Sequence, residues 1–247
     1  MVLPADHHIG DEPAFLRVLQ RAIDAAREGD MVTVGIKPSR PETGYGYVEL
    51  GEELAPLVHR ARRFVEKPDE QRARQFLATG RFLWNSGMFF FRADILLAAV
   101  RQHLPGLGDA LRSYDEAAAR GQEAELVRTT YKDLPDVSID HGVMEKAARV
   151  AVVPGDFGWS DVGSWTSAWE LAPHDAQENA LFGDVVAIDT KGSYVRAGGD
   201  KVVAVIGLDD VVVVDTGDAL LVMPRERAQD VKSVVNLLKS QKRNQYL

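Results

Sequence analysis

Two aspartates stand at points where apolar stretches give way to turns, and both could bind a divalent cation. Asp6 follows the apolar entry of "VLPADHHI", and Asp161 lies in "FGWSDVGSW". A strand ending at Asp6 would present its carboxylate at the carboxyl edge of a sheet, where open α/β sheets bind ligands. Mg²⁺ is usually held by one or two carboxylates plus substrate phosphates, so two isolated acids suit it. The alternative for each aspartate is a helix or turn cap.

A second group with chemical potential is the acid–base pair of "FVEKPD", in which Glu66 and Lys67 precede Pro68. Adjacent residues of a strand face opposite ways, so the two side chains need not pair with each other. Glu66 could then accept hydrogen bonds from hydroxyls while Lys67 meets a phosphate. The alternative is a solvent-exposed Glu-Lys at a strand end.

Glycines and a buried amide add weaker signals. Gly44 and Gly46 in "TGYGY" allow positive φ or close approach of the backbone to a ligand, although a hairpin turn would need the same glycines. Asn85 and Ser86 interrupt the apolar run "FLWNSGMFFF". A buried amide must be hydrogen-bonded, so Asn85 is expected to bind either backbone or a ligand hydroxyl.

Composition excludes several classes of protein. The chain has 247 residues, no cysteine and a formal net charge of −8. Without cysteine there is no disulfide, thiolate metal site or cysteine nucleophile. The negative charge argues against a nucleic-acid partner. Neither an apolar run long enough for a membrane span nor a leader peptide is seen, so we expect a cytoplasmic protein with no membrane partner. His7 and His8 lack a third ligand of matching spacing and are interpreted as lining or surface residues, not a zinc site.

The elements that must position these residues alternate between helix and strand. Apolar spacing predicts a helix after the cap Asp11 that ends by Gly29, and a second helix from about Asp69 to Thr79. "MVTVGI", "RRFVEKP" and "WNSGMFFFRA" are typical of strands. Residues 94 to 148 are predicted to be mainly helical. This alternation favours an α/β domain with a mostly parallel or mixed sheet.

The sequence changes in character from Asp184 onward. Five short β runs separated by Gly, Asp and Lys follow, and the amphipathic "RERAQDVKSVVNLLKSQ" closes the chain. A polar segment, "APHDAQENAL", separates this part from the rest. We therefore predict two domains: residues 1–178, and residues 179–247 as a C-terminal β module with a terminal helix. The module and its helix are candidate surfaces for a homo-oligomer.

Taken in order, six motifs resemble those of the mannose-1-phosphate guanylyltransferases, or GDP-mannose pyrophosphorylases. The motifs are "LPADH", "GIKPSRPETGYGYVE", "FVEKP", "WNSGMFFF", "SIDHGVMEKA" and "FGWSDVGSW". The resemblance implies a partial Rossmann-like, GT-A-like nucleotidyltransferase fold, with a mixed sheet and helices and a short β-helix-like C-terminal module. It also implies an enzyme that transfers GMP from GTP to mannose 1-phosphate, giving GDP-mannose and pyrophosphate, with Mg²⁺ as cofactor.

By the same resemblance, Asp6 and Asp161 would hold Mg²⁺, and they count with Lys67 as the catalytic residues. Lys67 would neutralise the sugar phosphate. Glu66 and Asn85 would hydrogen-bond sugar hydroxyls, and the backbone at Gly46 would pass close to the sugar.

The turn around Asp161 has further implied parts. Trp159 and Trp165 would pack to hold the turn, and Gly163 would make the turn possible.

One feature of this family is not found in the sequence: the glycine-rich signature GGxGxRLxP, whose backbone amides hold the triphosphate. Such a loop binds anions through free N–H groups at a helix N-terminus. We therefore expect this chain by itself to have little or no transferase activity. Two alternatives stay open: a nucleotidyltransferase for another sugar 1-phosphate or base, and a non-catalytic paralogue that binds sugar phosphate or serves assembly.

Overall fold

The computed structural model describes residues 1–246, which form two compact units. The first unit comprises Met1–Ala5 and Ile9–Trp159, and the second comprises Asp6–His8 and the residues from Ser160 onward. Each unit has its own strands and its own buried core. Among the described residues no helix is long and apolar enough to cross a membrane.

Five strands form a closed mixed sheet in the first unit. In chain order they are β1 (Met31–Ile36), β2 (Tyr47–Ala55), β3 (Val58–Val65), β4 (Phe82–Phe90) and β5 (Val150–Gly155). Their spatial order is β1-β4-β2-β3-β5, with β5 returning to pair with β1. The β1–β5 pair is parallel and the other pairs are antiparallel. The predicted mixed α/β fold is confirmed, and closure of the ring leaves no strand of this sheet without two neighbours.

Helices alternate with these strands in the chain: one precedes β1, one lies between β3 and β4, and three lie between β4 and β5. They are α1 (Glu12–Arg27), α2 (Glu70–Thr79), α3 (Ala93–His103), α4 (Pro105–Ala118) and α5 (Glu123–Thr130), with a 3₁₀ turn at Tyr131–Asp133 and a π-helical turn at Asp140–Met144. The predicted caps are confirmed: the Ala14 N–H donates to Asp11, the Arg72 N–H donates to Asp69, and Gly80 ends α2 at φ +66°.

Two apolar faces build the core of the first unit. Every residue of β1 is buried, because its neighbours β4 and β5 flank it and α1 packs on the sheet. On α1, Val18, Leu19, Ala22 and Ala26 recur at helical spacing and are buried, as the apolar spacing predicts.

The second unit is a coil of short strands. They are β6 (Ala180–Phe182), β7 (Val185–Ile188), β8 (Tyr194–Arg196), β9 (Val203–Ile206), β10 (Val211–Asp215) and β11 (Leu220–Pro224). The strands β6, β8 and β10 stack in parallel on one side, and β7 and β9 stack in parallel on another. Antiparallel β11 ends the larger stack. Alternate strands of the chain thus lie on the same face, as in a β-helix, and the predicted module is confirmed.

Helical segments flank the coil. Helix α6 (Trp165–Leu171) precedes it, and a 3₁₀ segment (Arg225–Asp230), α7 (Val231–Ser240) and a last 3₁₀ turn (Asn244–Tyr246) follow it. Neither α6 nor β5 was predicted from the sequence. The expectation that Asp6 lies at the end of a strand is wrong, because residues 5 and 6 form a bend between the isolated bridges of Val2 and His8.

Candidate functional site

In the first unit Gly46 contacts two other predicted substrate-binding residues, Glu66 and Asn85. Gly46 is buried just before β2, and the Asn85 N–H donates to its carbonyl oxygen over 2.8 Å. A β-carbon at position 46 would overlap the Glu66 carboxylate and lie 3.3 Å from Asn85 Cβ. The absence of a side chain at Gly46 is therefore what lets Glu66 reach this position.

Glu66 and Lys67 follow β3 and form an ion pair. Lys67 Nζ lies 3.0 Å from Glu66 Oε1, with the Glu66 side chain 10% exposed and that of Lys67 64% exposed. The alternation of a strand does not apply here, because β3 ends at Val65 and Lys67 adopts φ +43°. A left-handed backbone is uncommon for a residue with a side chain. It turns the ammonium back toward Glu66 and leaves it accessible to a ligand.

The side chain of Asn85 is held on three sides. Its Oδ1 accepts hydrogen bonds from Thr33 Oγ1 at 2.7 Å and from the Gly87 N–H at 3.3 Å. Its Nδ2 donates to Asp140 Oδ1 at 2.9 Å. Asn85 is therefore a fixed amide on β4, as expected for a partly buried polar group within an apolar strand.

A carboxylate from the π-helical turn supports Glu66. Glu145 Oε1 accepts the backbone N–H of Glu66 at 3.0 Å, and its Oε2 lies 3.1 Å from His141 Nδ1. Asp140 and Glu145 were not predicted as site residues from the sequence. Both lie in the motif "SIDHGVMEKA", which is the signal in the sequence that points to them.

In the second unit, Asp161 begins a strained turn. Its Oδ1 accepts the Gly163 N–H at 2.9 Å, and Ser160 Oγ accepts the Val162 N–H at 3.1 Å. Val162 carries the left-handed backbone at φ +53°, which is rare for a β-branched residue. A β-carbon at Gly163 would come within 2.5 Å of Asp161 Oδ2, so this glycine is needed for space rather than for positive φ.

Asp6 and Asp161 belong to neighbouring segments of the second unit. His8 and Ser160 exchange backbone hydrogen bonds of 2.8 and 3.2 Å in an antiparallel bridge, which sets His7 across from Asp161. Burial lowers the pKa of His7 below its usual value, while the carboxylates of Asp161 and then Asp6 oppose that shift. Both acids therefore act on one imidazole.

Asp6 and Asp161 are two carboxylates that act on the same imidazole, that of His7. Among residues 1–246 no group of three or more His, Cys, Asp or Glu side chains is placed to hold a metal ion. The described residues therefore contain no metal site built from three or more of these side chains. One or two carboxylates with substrate phosphates and water are, by contrast, the usual ligands of Mg²⁺.

The two tryptophans pack in different units. Trp159 lies against Tyr45 with ring centroids 5.3 Å apart, within the first unit. Trp165 lies 5.6 Å from the ring of Tyr194, within the second unit. Each therefore anchors one side of the segment that contains Asp161 to its own core.

The chain belongs to the nucleotidyl transferase family, whose model it matches over residues 1–178. Residues 183–238 match a MannoseP isomerase/GMP-like beta-helix domain. The match to the catalytic family covers all of the predicted site residues.

Several individual proteins are similar to almost the whole chain. Alginate biosynthesis protein AlgA of Pseudomonas aeruginosa is 45% identical over 99% of this chain and 51% of its own length. A mannose-1-phosphate guanylyltransferase of Klebsiella pneumoniae is 43% identical over 100% of this chain and 53% of its own length. The chain thus spans about half the length of the curated relatives it matches.

A solved structure is similar as well. A protein of Thermus thermophilus, described as a mannose-1-phosphate geranyltransferase, superposes with a TM-score of 0.81 at 41% identity. The superposition covers 96% of this chain and 69% of that one.

Proposed function

We propose that this chain takes part in the transfer of GMP from GTP to mannose 1-phosphate, giving GDP-mannose and pyrophosphate. The observation that carries the proposal is the contact of Gly46, Glu66 and Asn85, with Lys67 paired to Glu66. The carboxylate of Glu66 and the amide of Asn85 can hydrogen-bond the hydroxyls of a ligand, and the ammonium of Lys67 can bind its phosphate. The names of the relatives supply the sugar and the nucleotide.

Each side chain of this cluster has a separate task in the proposal. The Glu66 carboxylate accepts a hydrogen bond from a sugar hydroxyl, and Asn85 binds a second sugar oxygen. The exposed Lys67 ammonium binds the sugar phosphate, for which lysine acts as a point charge. Gly46 makes room for the Glu66 carboxylate, and its backbone is proposed to lie close to the sugar.

The reaction needs no nucleophile from the protein. A phosphate oxygen of mannose 1-phosphate attacks the α-phosphorus of GTP, the bond to the β-phosphate breaks, and pyrophosphate leaves with the bonding electrons. Both reactants are anions, so alignment and charge neutralisation are the main obstacles. Lys67 reduces the charge of the sugar phosphate, while Glu66 and Asn85 fix its orientation.

Asp6 and Asp161 are proposed to hold Mg²⁺. A bound divalent ion neutralises phosphate oxygens and acts as a Lewis acid. The hydrogen bond from Gly163 fixes the Asp161 carboxylate, and the bridge between His8 and Ser160 fixes the backbone next to both acids. The cytoplasmic location expected from the sequence stays a prediction.

Binding and turnover test the proposal separately. Isothermal titration with mannose 1-phosphate, mannose 6-phosphate and glucose 1-phosphate measures recognition of the sugar phosphate, and we expect mannose 1-phosphate to bind most tightly. Formation of GDP-mannose from GTP measures turnover, which we expect to be low for this chain alone. Equal binding of the three ligands contradicts the proposed substrate. Tight binding of mannose 1-phosphate that is indifferent to Asp161→Ala, without turnover, favours a non-catalytic binding protein.

A further inference from the structure

The π-helical turn brings two carboxylates to one side of the backbone. In an α-helix, residues five apart are about 140° apart around the axis, so they face different directions. Here the Glu145 N–H donates to the Asp140 carbonyl over 2.9 Å, which is the i to i+5 hydrogen bond of a π-helix. This bond places Asp140 and Glu145 one above the other. Gly46, Glu66, Lys67 and Asn85 are called the sugar-phosphate cluster below. The side chains of Asp140 and Glu145 contact two different residues of this cluster, Asn85 and Glu66.

We propose that Asp140 and Glu145 are positioning residues for the sugar-phosphate cluster, an inference that rests on the proposed function. Asp140 fixes the orientation of the Asn85 amide, and Glu145 fixes the backbone of Glu66. Neither carboxylate needs to touch the substrate to do so.

The orientation of the Asn85 amide follows from its neighbours. A carboxylate such as Asp140 only accepts hydrogen bonds, so the amide nitrogen must face it. The Gly87 N–H only donates, so the amide oxygen must face that side. The Thr33 hydroxyl lies 2.7 Å from the same oxygen and 3.1 Å from the Met88 carbonyl oxygen, and it has one proton to donate to these two acceptors. Among residues 1–246 Asp140 accepts one N–H of the amide and leaves the other to offer, so Asn85 is expected to bind the sugar as a hydrogen-bond donor.

Glu145 acts on the position where the chain leaves β3. The Glu66 N–H lies beyond the last residue of that strand and is bound by Glu145 instead of by a neighbouring strand. The next residue, Lys67, has the strained left-handed backbone. A strained conformation persists only when its surroundings fix it. Glu145 therefore supports both the carboxylate of Glu66 and the direction of the Lys67 side chain.

The packing of the π-helical turn explains why it can serve as a support. Gly142, Val143 and Met144 are buried, and a β-carbon at Gly142 would come within 2.9 Å of Leu104 Cδ1. One side of the turn is thus locked into the core beside α3. The two carboxylates belong to the residues on either side of this buried segment, Asp140 two positions before it and Glu145 directly after it.

Two measurements without ligand test the positioning directly. In Glu145→Ala, the Glu66 amide should exchange its hydrogen faster in an NMR exchange experiment, and Glu145→Gln, which keeps an acceptor, should restore protection. In Asp140→Ala, the side-chain NH₂ signals of Asn85 should shift. Asp136→Ala, which changes an exposed aspartate close in the chain, should alter neither signal. Unchanged signals in both carboxylate variants would overturn the inference.

Binding of mannose 1-phosphate tests the consequence. We expect Asp140→Ala to weaken it about tenfold, or ~1.4 kcal/mol, while Asp136→Ala leaves it unchanged. If Asp140 acts through Asn85, then adding Asp140→Ala to Asn85→Ala should weaken binding no further, because the two side chains act as one unit. Additive losses would overturn the inference. If Asp140→Ala fails to fold, Asp140→Asn replaces it in the same cycle.

The proposed function and this inference fail in different ways. An unaltered chain that binds no mannose 1-phosphate counts against the proposed function, and the exchange of the Glu66 amide then decides whether Glu145 positions it. If the unaltered chain binds mannose 1-phosphate and the variants Asp140→Ala and Glu145→Ala bind it equally tightly, the result counts against the inference alone.

Discussion

The carboxylate of Glu66 lies against the α-carbon of Gly46, in the space that a β-carbon at position 46 would occupy. Gly46 precedes β2 and Glu66 follows β3, and these strands pair from Tyr47 with Val65 outward. The contact is therefore set by strand register. The Glu66 carboxylate can occupy this position only because residue 46 is a glycine.

Replacing this glycine tests the contact. We expect Gly46→Ala to displace the Glu66 carboxylate and to weaken binding of mannose 1-phosphate at least about tenfold, or ~1.4 kcal/mol, measured by isothermal titration. A suitable control is Gly106→Ala, because a β-carbon at that position meets nothing within 4 Å. Wild-type affinity in Gly46→Ala would show that the position of Glu66 does not matter for binding.

Lys67 provides a test of charge. The loss of a charge-assisted hydrogen bond to phosphate costs roughly 1.5–3 kcal/mol, so Lys67→Ala should weaken binding of mannose 1-phosphate by about that amount. Because the lost interaction is ionic, the difference between wild type and variant should also shrink as salt concentration rises. Lys132→Ala removes the charge of an exposed lysine in the same unit and should bind normally. Equal affinities of the Lys67 variant and wild type would contradict the role given to this residue.

Much of the local structure could be predicted because its signals are local. Asp11 and Asp69 lie three residues before the N–H groups that they accept, so the sequence itself shows both caps. The β runs after Asp184 are bounded by turn residues and are all found as strands. The closed ring of the first sheet could not be predicted, since β5 joins β1 and β3 from far along the chain.

The site shows the same limit. The motifs pointed to Glu66, Lys67 and Asn85, but not to what holds them. Asn85 and its partner Asp140 are 55 positions apart, and Glu66 and Glu145 are 79 apart. Only the tertiary fold brings these pairs together, and only the π-helical hydrogen bond places both acids on one side.

Metal binding gives a prediction for Asp161 that does not depend on turnover. Asp161→Asn can still accept the Gly163 N–H, so the turn and the fold should persist while a negative charge is lost. We expect weaker binding of Mn²⁺, used as a paramagnetic probe in place of Mg²⁺, because carboxylates are the preferred ligands of such ions.

Asp6→Asn should have a similar effect on Mn²⁺ binding, and Asp156→Asn, at an exposed aspartate, should have none. Retention of normal Mn²⁺ affinity in both Asp6→Asn and Asp161→Asn would remove the basis for a shared cation.

The last prediction concerns stability of the second unit at acid pH. Lys201 Nζ donates to Asp215 at 2.9 and 3.2 Å, and the Gly217 N–H donates at 2.7 Å to Oδ1 of the same residue. The hydrogen bond from Lys201 and then that from Gly217 lower the pKa of Asp215 below its usual value. A carboxyl group whose folded-state pKa is depressed stabilises the fold fully above its unfolded pKa, which is about 3.9, and loses that contribution as the pH falls through the folded-state value.

The urea concentration at the midpoint of unfolding should therefore decrease in the wild type when the pH drops below about 4. Part of this decrease should be missing in Asp215→Asn. At neutral pH the same variant should unfold more easily than wild type, because the ion pair with Lys201 is gone. Asp200→Asn changes an exposed aspartate of the same module and should keep the wild-type pH profile. Since Asp215 lies at the end of β10, where the stack of parallel strands meets β11, its protonation is expected to loosen that end of the coil first. Amide hydrogen exchange at Leu220 and Leu221 checks this, and equal protection there at pH 3 and pH 7 would show that the Asp215 pair does not stabilise the coil.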